Sequence, residues 1–151
     1  MTVSNFGYEY FDDIITNNEA KIIFEEYLKI SNLISSNKNK DLNEKKYLKN
    51  ISNKDIKLLE NPILISTELD RIFEKILSND QIKIKLANLF KNKKFNLWTI
   101  YIRESLPGSD SLVMHQDKEN SILLTFAIKG CENKNGTTVF IPKTHKFPMM
   151  L

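Results

Sequence analysis

Phe95-Asn96-Leu97-Trp98-Thr99-Ile100-Tyr101-Ile102-Arg103 is the stretch at which the chain changes period. Before it, apolar residues recur every three or four positions. From Phe95 onward the period is two, the repeat of a strand whose successive side chains point to opposite faces. Phe95 to Arg103 therefore reads as a strand. Ser121 to Lys129 and Thr137 to Ile141 read as two more, bounded by Gly, Pro or Asn clusters, and Leu112 to Asp117 as a further short one.

Upstream of the switch, turn residues are scarce. Of four glycines only Gly7 precedes position 100, and of four prolines only Pro62 does, as expected of a helical region. Thr16 and Glu19 have capping-box spacing, and Ile23, Phe24, Tyr27 and Leu28 follow at helical intervals, which predicts a helix over Asn17 to Ser31. Leu69, Ile72, Phe73, Ile76 and Leu77 recur at i, i+3, i+4, i+7 and i+8 behind Ser66 or Thr67. That helical region extends from Thr67 to Phe90, broken and recapped at Ser78-Asn79-Asp80. Asn32 to Asn53 is polar and reads as a loop with a weak helix around Glu44 to Leu48. The expected class is α+β, one domain over 1–151, with a mainly helical part (1–92) packed on a sheet part (93–151).

Length and composition fit a soluble globular domain: 151 residues, 41% hydrophobic and 27% charged. The net charge of +3 comes from 22 basic and 19 acidic residues. Only Arg71 and Arg103 are arginine, and the lysines are interspersed with acids, so no basic stripe marks a nucleic-acid footprint. No stretch has the length of apolar sequence that a membrane span needs, and Met1 to Asp13 lacks the pattern of a secretory signal. Cys131 is the single cysteine, which excludes an internal disulfide and suits a reducing compartment. The expected location is cytoplasmic.

Met114-His115-Gln116-Asp117 carries the chemistry. A His and a carboxylate two positions apart on a strand lie on one side of it, so both can reach a common ion. They amount to two thirds of a 2-His-1-carboxylate facial triad, which leaves open positions on a non-haem Fe(II). The third ligand is not evident from spacing.

The order Trp98-Thr99-Ile100-Tyr101-Ile102-Arg103, Pro107-Gly108, His115-Gln116-Asp117, Asn135-Gly136 and Ile141-Pro142-Lys143-Thr144-His145-Lys146 resembles the phytanoyl-CoA dioxygenase-like group of Fe(II)/2-oxoglutarate oxygenases. A lone H-x-D is unspecific; the full series, spanning about Phe95 to Lys146, is considerably more specific. The resemblance implies helices packed on a double-stranded β-helix, or jelly roll, that holds Fe(II) and 2-oxoglutarate and hydroxylates a small organic or conjugated substrate. It implies His115 and Asp117 as iron ligands, and Tyr101 and Thr125 as contacts to 2-oxoglutarate. In the family's usual string a glycine stands where this chain has Lys143.

The resemblance also implies that His145 is not a ligand. The distal His of the family lies on a later strand and is followed by an Arg or Lys that binds the far carboxylate of 2-oxoglutarate. About four strands are countable, against roughly eight in a jelly roll, and Phe147-Pro148-Met149-Met150-Leu151 is apolar. The chain reads as such an oxygenase ending before its last strands. Two other readings stay open: a catalytically inactive truncated homologue that binds another protein or self-associates through an open sheet edge, and a cupin-like metal isomerase or hydrolase using a water ligand. Arg103 suits either a structural ion pair or a substrate contact, and Cys131 reads as a passive thiol.

Overall fold

The computed structural model describes residues 7–35, 48–51, 56–90, 94, 96–108, 121–129 and 141. Helix α1 runs Asn17–Ser35. Its start is the expected capping box: the Thr16 N–H and hydroxyl donate to Glu19 Oε2 at 2.8 and 2.9 Å, and the Glu19 N–H donates back to Thr16 Oγ1 at 3.2 Å. Ile23, Tyr27, Ile30 and Ile34 are buried along one stripe. Because Ile34 continues that stripe, α1 runs past Ser31, into residues read from sequence as the start of a polar loop.

Helix α2, Thr67–Ser78, buries Leu69, Ile72 and Ile76, and its N-cap Ser66 accepts from the Leu69 N–H. Helix α3 follows at Asp80–Leu89. Asn79 joins them as expected: its N–H donates to Ile76 O at 3.1 Å, while its Oδ1 accepts from the N–H groups of Gln81 at 2.9 Å and Ile82 at 3.2 Å. One side chain thus closes one helix and opens the next.

Strands β1 (Leu48–Ile51), β2 (Ile56–Glu60) and β3 (Tyr101–Ser105) form an antiparallel sheet in the order β1-β2-β3. Leu59 faces Ile102 and Glu60 faces Tyr101 across the β2–β3 ladder. The Asn61 N–H donates to Ile100 O at 2.7 Å, which carries the pairing one step further. Asn61 is left-handed (φ 48°, ψ 49°), a conformation Asn tolerates, and it turns the chain into a short 3₁₀ helix at Pro62–Leu64 with Pro62 buried.

The class is α+β, but the strands differ from those read in the sequence. β1 and β2 occupy residues read as loop, weak helix or unassigned, and β3 begins six residues later than Phe95. Ser121 to Lys129 forms no ladder with described residues, although its burial alternates. These differences share one cause. A strand is defined by its partner, and hydrophobic period alone does not name the partner. The expected strand at Leu112 to Asp117 lies outside the described residues, as does all of Thr137 to Ile141 except the exposed Ile141.

One core joins these parts. Ile14 and the α1 stripe meet Leu59, Leu69, Ile72, Ile76 and Ile82, with Ile102, Leu124, Phe126 and Ile128 packed against them. Among the described residues no helix is long and apolar enough to cross a membrane.

Candidate functional site on the sheet side away from the helices

Alternation along β3 separates two sets of side chains. Ile102 and Glu104 are half-buried, while Tyr101, Arg103 and Ser105 are exposed. Ile102 packs on the core, so the exposed set points away from the helices. In 121–129 the same logic holds: Leu124, Phe126 and Ile128 pack on the core, and the intervening Thr125 and Ala127 are exposed. Tyr101 and Thr125, the two residues expected to contact 2-oxoglutarate, therefore both occupy positions of outward parity. Tyr101 is 39% exposed, enough for its ring and hydroxyl to meet a ligand.

The helix side of the same layer is held by specific polar contacts. The Tyr27 hydroxyl donates to Glu104 Oε2 at 2.5 Å, tying α1 to β3. Burial, and next the donation to Glu104, push the Tyr27 phenol above its usual range, with the Ser31 hydroxyl acting the other way. Lys129 Nζ lies 4.4 Å from the centroid of the Phe24 ring and fastens the end of 121–129 to α1. Between α1 and α2, the Ser66 hydroxyl donates to Glu26 Oε2 at 2.5 Å, and Lys75 Nζ bonds Glu19 Oε1 at 2.6 Å. Lys85 of α3 pairs with Glu9.

His115 and Asp117, the expected iron ligands, lie outside the described residues, as do His145 and Cys131. Among the described residues no group of three or more His, Cys, Asp and Glu side chains is arranged to hold a metal ion. Tyr27 and Glu104 were not singled out from sequence. The signal was a tyrosine inside an otherwise aliphatic stripe, since a buried phenolic hydroxyl needs a partner. In comparisons with known proteins, no family model matches the chain, and no curated protein or solved structure matches it at a significant level.

Proposed function

We propose that this chain carries the first two metal ligands, His115 and Asp117, of an Fe(II)/2-oxoglutarate-dependent oxygenase of the phytanoyl-CoA dioxygenase-like kind, built on a double-stranded β-helix and acting on a small organic or conjugated substrate. The observation that carries the reading is the ordered series His115-Gln116-Asp117, Asn135-Gly136 and Pro142-Lys143-Thr144-His145-Lys146. The outward parity of Tyr101 on β3 and of Thr125 in 121–129 supports it, because a co-substrate needs side chains that the helices leave uncovered. An imidazole with a carboxylate fits two of the three protein positions around non-haem Fe(II). When bound, iron and 2-oxoglutarate supply the oxidising chemistry, in which decarboxylation to succinate is coupled to oxygen transfer from dioxygen. In this reading His115 and Asp117 hold the metal, and Tyr101 and Thr125 orient the keto acid.

Metal titration of the 151-residue polypeptide tests this, with Mn(II) as a spectroscopic stand-in for Fe(II) and succinate formation as a second readout. Two ligands without an assigned third give a weak site. Mn(II) should bind weakly, His115→Ala and Asp117→Ala should each abolish binding, and His145→Ala should leave it intact. Succinate formation should be negligible. Binding indifferent to both His115→Ala and Asp117→Ala would overturn the reading, whereas robust turnover lost in His145→Ala would make His145 the third ligand.

A second reading has its own observation. Leu97, Ile122, Leu123 and Ile141 are 55%, 40%, 53% and 46% exposed, apolar side chains that self-association would cover. If the chain is an inactive homologue that self-associates through these side chains, sedimentation should show a concentration-dependent dimer that Leu97→Glu with Leu123→Glu dissolves. A monomer at high concentration excludes it.

A further inference from the structure

Within strand β3 only Ile102 marks the inner face by hydrophobicity, with the buried Ile100 just before the strand on the same parity. Tyr101-Ile102-Arg103-Glu104-Ser105 places an aromatic and a cation on one face, and an aliphatic and an anion on the other. Slipping such a strand by one residue exchanges every side chain between core and solvent, and patterning alone gives β3 weak protection against that slip. We propose that Tyr27 is the positioning residue that sets the phase of β3, its hydroxyl holding Glu104 on the helix side so that Tyr101 and Arg103 are presented outward.

Tyr27 is 2% exposed and lies in the middle of the α1 stripe, between Ile23 and Ile30. Its hydroxyl reaches Glu104 Oε2 at 2.5 Å across 77 positions of sequence. In the slipped strand Glu104 would face solvent, and the part-buried Tyr27 hydroxyl would lose its carboxylate acceptor, for which the neighbouring Ser31 hydroxyl is a weaker substitute. The slip would also turn Arg103 toward a largely aliphatic cluster. Ile102 opposite Leu59 adds a packing preference of the same sign. Selecting one register over another is the role in which polar pairs inside a fold are best attested, and this pair is part-buried. The consequence for co-substrate binding rests on the oxygenase reading; the strand phase itself does not.

Amide hydrogen exchange resolved to residues 101–105 tests the proposal on the protein alone. Tyr27→Phe should lower protection of β3 roughly tenfold or more, as loss of a bond to a charged acceptor predicts, with α2 and α3 little changed. Glu104→Gln, whose amide oxygen still accepts but without the charge, should lose clearly less protection than Tyr27→Phe. Tyr27→Phe with Glu104→Leu replaces both polar groups by apolar ones and should recover the protection. Unchanged exchange in Tyr27→Phe overturns the proposal, as does a loss spread evenly over α1, α2 and β3 that the double variant does not repair. If Tyr27→Phe fails to fold, the double variant decides: folded with β3 protected supports the proposal, unfolded overturns it. Titration of the same proteins with 2-oxoglutarate and Mn(II) separates the two readings. Absence of binding by the wild type counts against the oxygenase, while the exchange pattern still decides the strand phase.

Discussion

Leu59 has no exposed surface and meets the helices from the middle of the sheet, opposite Ile102. Deleting three carbons there leaves a cavity that rigid neighbours on two elements fill poorly. Leu59→Ala should therefore cost about 2–5 kcal/mol, read from the shift of the urea midpoint. Asn79 acts through hydrogen bonds instead of volume. Asn79→Ala removes the acceptor for the N–H groups of Gln81 and Ile82 and should cost about 1 kcal/mol, while Asn79→Asp, which keeps the acceptor, should cost much less. Equal losses in the two variants would show that the cap bonds contribute little and that backbone conformation sets the junction.

At the scale of elements, the docking of α2 on α1 depends on carboxylates. Hydrogen bonding to Lys75, then to the Thr16 N–H, lowers Glu19 from 4.5 to about 2. The Ser66 hydroxyl, then Lys29, lowers Glu26 as well. Both shifts are depressions, so the folded state binds fewer protons than the unfolded chain across the window between the two values. The stability they contribute is fully present above about pH 4.5 and is lost as pH falls toward about 2. Urea midpoints between pH 7 and pH 2 should fall steeply below 4.5 in the wild type. Glu19→Gln should start lower at pH 7 and show a shallower fall through that window. Parallel pH curves for the two proteins would mean that the Glu19–Lys75 pair does not couple to folding.

At the scale of the molecule, β3 and 121–129 each have one side against the helical core and one side away from it. Phe126 and Thr125 are sequence neighbours on opposite sides of that division. Phe126→Asp puts a charge against the core and should lower the melting temperature sharply. Thr125→Asp, at an exposed position, should leave melting nearly unchanged, within about 0.5 kcal/mol. The same Thr125 substitution should weaken 2-oxoglutarate binding under the oxygenase reading, since it sets a carboxylate beside a dianion. Similar melting losses in both variants would show that 121–129 does not keep the alternation its burial displays.

The helices could be read in the chain because their determinants are local. Thr16 finds Glu19 three residues away, Ser66 finds Leu69, and Asn79 finds Ile82, so a window of a few residues contains cap, stripe and stop. The α+β class and the alternation of 121–129 were legible for the same reason. The H-Q-D spacing and its companion motifs raise an expectation of metal chemistry, and His115, Asp117 and His145 lie outside the described residues. What only the tertiary structure decided is which extended residues pair. Leu48–Ile51 and Ile56–Glu60 became strands although neither was expected, and Tyr101–Ser105 was selected from a longer alternating run because Leu59 and Ile100 to Ile102 met across more than forty residues of sequence. The tie between Tyr27 and Glu104 belongs to the same class of facts. Its energy depends on a part-buried site assembled from α1 and β3, and neither residue carries that environment in its own neighbourhood of the chain.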